Sequence, residues 1–126
     1  MSEMKWAIIT GADGGMGTEI TRAVAKAGYR IIMACYHPKK AEVVRERLSK
    51  ETGNPDLEVM AIDLSSMQSV VTFANQILER NLPISLLMNN AGTMETGFHT
   101  TFEGFERTVS VNYMGPYLLT RKLIPL

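Results

Sequence analysis

Eight consecutive residues, Thr10-Gly11-Ala12-Asp13-Gly14-Gly15-Met16-Gly17, carry the densest chemical signal in this chain. They lie between a short apolar run and an amphipathic one, where a strand would turn into a helix. Gly11 permits a sharp turn out of the strand. Gly15 lets backbone approach a bound pyrophosphate, and Gly17 allows close helix-to-strand packing. The free N–H groups and dipole of a helix start favour an anion there. The plain alternative is a glycine-rich turn with no ligand. The literal G-x-G-x-x-G is missing, because Ile20 stands where the third glycine belongs. No Gly-Lys-Ser/Thr occurs, so a P-loop is excluded.

The elements that would position this turn alternate along the chain. Trp6–Thr10 reads as a buried strand, 18–27 as a helix with Ile20, Ala23, Val24 and Ala27 on its inner stripe, and Gly28 as its terminator. Arg30–Cys35 is a second strand, and Pro38 opens a charged helix over 41–51. Residues 57–62 give a third strand, closed by Asp63; Ser65 or Ser66 can cap a helix over Met67–Arg80, with Val70, Phe73, Ala74 and Ile77 on one face. Ile84–Met88 reads as a fourth strand buried on both faces, followed by Asn89-Asn90-Ala91-Gly92 and by helical stretches at 101–110 and 113–126. This alternation predicts an α/β fold, a Rossmann-type doubly wound parallel sheet with helices on both faces and strand order 3-2-1-4. With only four strands the sheet is incomplete. Residues 1–126 are therefore expected to be the N-terminal portion of one dinucleotide-binding domain.

Composition narrows the field. The 126 residues balance 13 Lys+Arg against 13 Asp+Glu, so no global charge draws nucleic acid or an acidic membrane. An apolar fraction of 45% with 21% charged residues excludes disorder. No run is long enough for a membrane span. Cys35, the single cysteine, makes neither an internal disulfide nor a cysteine-based metal site and reads as a small buried hydrophobe. No metal site is expected, and a cytoplasmic location is.

The spacing T-G-x-x-x-G-x-G resembles the short-chain dehydrogenase/reductase family. Asp63-Leu64, Asn89-Asn90-Ala91-Gly92 and Asn112, within Val109-Ser110-Val111-Asn112-Tyr113, follow in the family's order over nearly the whole chain. Ala34-Cys35-Tyr36 with Lys40-Ala41-Glu42, Asp63-Leu64-Ser65-Ser66, and 112–117 look most like its retinol-dehydrogenase-like branch.

The resemblance implies a coenzyme site formed by Gly11, Asp13, Gly15, Met16 and Gly17 at the pyrophosphate turn. Tyr36 and Lys40 would lie near the adenosine ribose, Asp63 and Leu64 at the adenine, and Asn90, Ala91 and Gly92 along the ribose and central strand. Asn112 would serve catalysis by helping to hold a lysine and a proton-relay water. Other readings stand beside these: Asp63 as a helix cap, Asn89 and Asn90 as turn residues, Asn112 as a cap between two helices.

By the same resemblance the complete protein is an NAD(P)-dependent enzyme that interconverts an alcohol and a carbonyl by hydride transfer. The family's catalytic tyrosine and lysine lie beyond the Asn112 position, so residues 1–126 alone are expected to be inactive. A dinucleotide-binding or regulatory module is the rival, and a ligand-free structural fragment is another. NAD-preferring folds place an acid near the end of the second strand. Met33-Ala34-Cys35-Tyr36-His37 has none, while Lys39 and Lys40 follow, so NADP is favoured over NAD as coenzyme.

Some matches mislead. Tyr36-His37-Pro38-Lys39-Lys40 satisfies Y-x-x-x-K but carries Pro38 at its centre, after the second strand. Tyr117 and Arg121 share a helix face, yet a guanidinium stays charged and does not tune a proton relay. His99 reads as a loop residue and the nine methionines as core filler. The helix carrying Tyr117, Leu118 and Leu119 could seat a second subunit.

Overall fold

The computed structural model describes residues 5–90 and 115–123. Of these, 5–61 with 83–90 form one compact unit, and 62–82 with 115–123 form a second.

The first unit holds β1 (Trp6–Thr10), α1 (Gly15–Lys26), β2 (Arg30–Cys35), α2 (Pro38–Thr52), β3 (Leu57–Ala61) and β4 (Ile84–Met88). All strand pairs are parallel and the order is β3-β2-β1-β4, as the sequence predicts. The register matches Thr10 with Ala34 and Ile9 with Met88, so β1, β2 and β4 end at one level. Side chains alternate in the two-residue period of a strand. Ala7, Ile9, Ile31, Met33 and Cys35 join one core with Ala25 of α1 and Ala41 and Leu48 of α2. Ile8, Ile32 and Ala34, on the opposite face, are buried too. A parallel strand buried on both faces needs such an unbroken apolar run, and each large side chain buried this way is worth about 1.5–3 kcal/mol.

Four sequence expectations are corrected here. Helix α1 begins at Gly15 rather than 18, because the chain enters helical geometry as soon as it leaves the turn: the Thr18 N–H already donates to the Gly14 carbonyl at 2.7 Å. Ile20 and Val24 pack against the core as expected, but Ala23 and Ala27 are exposed, and the most deeply buried residues are Gly17, Thr18, Thr21 and Ala25. Thr21 tolerates burial because its hydroxyl donates to the Gly17 carbonyl at 2.7 Å. Helix α2 starts at Pro38, whose missing N–H makes no difference in a first turn. Strand β4 is half-buried with Ser85 exposed, not buried on both faces, consistent with its place at one end of the strand order.

In the second unit, α3 (Met67–Arg80) has the expected bounds and buries Val70, Phe73, Ala74 and Ile77. It is capped by Ser66, whose hydroxyl accepts from the Ser69 N–H at 3.2 Å. The last helix, α4 (Gly115–Leu123), lies inside the expected 113–126 and buries Leu119 and Leu123; α3 and α4 pack together. The expected helix at 101–110 lies outside the described residues. Among the described residues, no helix is long and apolar enough to cross a membrane.

Candidate coenzyme site

The site begins where β1 ends. Gly11 has φ 64°, a left-handed conformation that suits glycine, and its N–H donates to the Ala34 carbonyl at 2.9 Å. The chain then folds back, the Gly14 N–H donating to the Gly11 carbonyl at 3.2 Å. Gly17 sits directly over this turn: a β-carbon there would stand 1.8 Å from the Gly11 carbonyl oxygen. At Gly15 the opposite holds, since a β-carbon would meet nothing within 4 Å. One glycine is required by the protein itself, and the other faces open space.

Asn90, two residues beyond β4, locks the turn. Its backbone N–H donates to the Thr10 hydroxyl at 3.0 Å, and its side-chain amide donates to the Gly11 carbonyl at 3.3 Å. Thr10 is wholly buried, and its hydroxyl donates in turn to the Met88 carbonyl at 3.4 Å. Thr21 also donates toward the Ala12 carbonyl at 3.5 Å. The contribution of the Thr10 and Thr21 hydroxyls went unrecognised in the sequence. The available signal was a threonine at the end of an apolar strand and another at a core-facing helical position.

No side chain caps α1, and its first turn carries no acid. The N–H groups of Gly15, Met16 and Gly17 precede the first intrahelical bond and are unsatisfied by the helix itself. Aligned donors, a positive helix end and the open space at Gly15 together suit an anion such as a pyrophosphate. The residues therefore fit a dinucleotide coenzyme. Met16 is 73% exposed and Tyr36 62% exposed, two large apolar side chains left in solvent. The Tyr36 ring meets that of His37 edge-on, with centroids 4.5 Å apart. Lys39 and Lys40 are exposed at the start of α2.

Asp13 is half-buried, and its charge acts on the buried thiol of Cys35. Burial first, and the Asp13 charge second, push the Cys35 thiol up to about 12. The thiol is accordingly inert, as expected of a buried cysteine.

Asp63 and Leu64 belong to the second unit. Leu64 is buried, and one Asp63 carboxylate oxygen accepts from the Ser65 N–H at 2.9 Å and the Ser65 hydroxyl at 2.6 Å. Asp63 thus folds an Asx turn ahead of α3 while Ser66 supplies the cap, which corrects the cap reading of Asp63. Ala91, Gly92 and Asn112, and the decoy His99, lie outside the described residues.

A family model described as short chain dehydrogenase matches residues 5–126. The chain belongs to the short-chain dehydrogenase family. It is 37% identical over 120 residues to retinol dehydrogenase 13 of Mus musculus, covering 95% of this chain and 36% of that protein. It is 36% identical to retinol dehydrogenase 11 of Homo sapiens, covering 95% and 38%. Among solved structures, a metagenomic short-chain oxidoreductase in complex with NADP superposes with a TM-score of 0.80 at 27% identity, covering 96% of this chain and 55% of that one. The retinol-dehydrogenase-like character of the sequence motifs agrees with these relatives. The chain spans well under half the length of the retinol dehydrogenases it matches.

Proposed function

We propose that the complete protein is an NAD(P)(H)-dependent oxidoreductase interconverting an alcohol and a carbonyl, with residues 1–126 as its coenzyme-binding portion, the N-terminal part of one dinucleotide-binding domain. The observation that carries this reading is the paired environment of two glycines: Gly17 closed against the Gly11 carbonyl, Gly15 open at the N-terminus of α1. The relatives named retinol dehydrogenases support an alcohol or carbonyl substrate, and a neighbour in complex with NADP supports the coenzyme class.

In this reading the N-terminus of α1 holds the pyrophosphate, Asp13, Tyr36 and Lys40 border the adenosine ribose, and Met16 borders the turn. Asp63 and Leu64 serve the adenine, Asn90, Ala91 and Gly92 the ribose, and Asn112 the proton relay. The bound dinucleotide would supply or accept the hydride. The chain's own part is to bind and orient it. Cys35, a reduced buried thiol, accords with a cytoplasmic location.

The test is direct titration of the full chain with NADH and NADPH, read by nicotinamide fluorescence, followed by turnover of simple aldehydes and ketones. Saturable binding with turnover is expected of the complete enzyme. Binding without turnover in the complete protein would leave a dinucleotide-binding module, and no binding would overturn the coenzyme reading.

A further inference from the structure

Met16 is the second residue of α1 and stands between Gly15 and Gly17, which bring no side chain to cover it. It is 73% exposed, and a β-carbon on Gly15 would meet nothing within 4 Å, so the space beside it is open. The other described methionines are shielded: Met33 is wholly buried, and Met60, Met67 and Met88 are half-buried. The Cys35 sulfur is buried as well. Leucine or isoleucine would give this place the same apolar bulk, but methionine adds an oxidisable sulfur. That sulfur hangs from the middle one of the three residues whose N–H groups α1 itself leaves unsatisfied. The helix end there has no side-chain cap and no acid in its first turn.

We infer that Met16 is an oxidation site that controls coenzyme binding: its sulfoxide oxygen competes with the pyrophosphate for the N–H groups at the start of α1. This inference rests on the dinucleotide reading above and concerns the regulation of that same site. The oxidant is hydrogen peroxide. The sulfur lone pair attacks one peroxide oxygen, the O–O bond breaks and an S–O bond forms, so the thioether is oxidised to a sulfoxide while the peroxide is reduced to water. The product carries a strongly polar acceptor at a helix end that has donors but no cap. A side-chain oxygen at a helix start accepts from the second or third N–H in the same way. Oxidation thus gives the uncapped end an internal acceptor in place of a ligand. A thiol-dependent sulfoxide reductase reverses the step, the oxygen leaving as water while two thiols become a disulfide. Bound dinucleotide in turn covers Met16 and slows its oxidation.

Peroxide treatment of the full chain tests this, with peptide mapping by mass spectrometry and titration by nicotinamide fluorescence with whichever of NADH and NADPH binds tighter. Met16 should gain oxygen before Met33, Met60, Met67 and Met88, and more slowly when the coenzyme is present at saturation. The dissociation constant should rise about tenfold in the oxidised chain, the effect of one net hydrogen bond, and methionine sulfoxide reductase should restore it. Met16→Leu, whatever affinity it starts from, should lose none of it on peroxide treatment. Met16→Gln, which carries a side-chain oxygen from the start, should bind more weakly than Met16→Leu before any treatment. Full oxidation of Met16 that moves the dissociation constant by less than about twofold overturns the inference. So does an equal loss in peroxide-treated Met16→Leu, or a loss that thermal melts show to come only with unfolding. Each of these leaves the coenzyme site intact. Binding of neither coenzyme by the untreated chain overturns the dinucleotide reading and this inference together.

Discussion

The side-chain amide of Asn90 donates to the carbonyl oxygen of Gly11 at 3.3 Å, and the same nitrogen stands 2.9 Å from where a β-carbon on Gly17 would lie. Strand β4 thereby holds the turn that β1 opens, and the helix start closes over both. Asn90→Ala should destabilise the fold by about 1–2 kcal/mol, the range for a lost, partly buried hydrogen bond. Asn90→Asp should be worse at neutral pH, since a carboxylate would face the Gly11 carbonyl. Its deficit relative to Asn90→Ala should shrink as pH falls through the carboxylate range. Urea unfolding at several pH values reads both effects, and an Asp variant as stable as the wild type would refute the contact.

Gly17→Ala places a methyl group 1.8 Å from the Gly11 carbonyl oxygen. The backbone has to shift, at roughly 1–3 kcal/mol or more for a forced overpacking. A lower melting temperature and weakened coenzyme binding should appear together. Normal stability in this variant would show that the turn is looser than described.

Gly15→Ala makes the complementary case. Its methyl group meets no protein atom, and alanine is the better helix former, so stability should hold or rise by up to about 1 kcal/mol. Affinity for NADH and NADPH should nonetheless fall about tenfold or more, because the added carbon occupies the approach to the pyrophosphate. Unchanged affinity with unchanged stability would move the anion away from Gly15.

The raised Cys35 ionisation links stability to alkaline pH. In the unfolded chain the thiol ionises near its ordinary value of 9.0, in the folded chain at about 12. Between those values the unfolded state binds fewer protons, so this contribution is complete below pH 9 and is lost progressively up to pH 12. Cys35→Ala should flatten that part of the stability profile. Iodoacetamide at pH 8 should label the thiol only after denaturant is added.

Ser66→Ala removes the acceptor for the Ser69 N–H at the start of α3 and should reduce stability by about 1 kcal/mol. Ser65→Ala leaves that cap in place and should be milder. Equal effects would return the capping role to both serines.

The strand order and the bounds of β1, β2, β4 and α3 were legible because period and punctuation agreed in each. Trp6–Thr10 ends in glycines, and Met67–Arg80 follows a serine cap with a clean four-residue stripe. On the inner face of α1, Ile20 and Val24 pack on the core as expected, and the other two positions were misread because residue type stood in for burial. Ala23 is apolar yet exposed, whereas Thr21 is polar yet buried, and only the hydroxyl bond to Gly17 explains the exchange. At the site, Gly11 and Gly17 were legible from spacing alone. The bond from Asn90 to the Thr10 hydroxyl was not, since 80 positions separate them and only the parallel pairing of β1 with β4 brings them together.

The Thr10–Asn90 bond joins residues 80 positions apart. On a ribosome adding about 5–20 residues per second, some 4–16 seconds pass between the synthesis of one partner and the other. Throughout that interval the glycine turn lacks its brace, and a nascent chain offers the coenzyme a loop rather than a formed cradle. On the proposed reading, coenzyme capture waits until β4 has been made, and a ligand that binds only the braced turn would stabilise the chain from that moment on and not before.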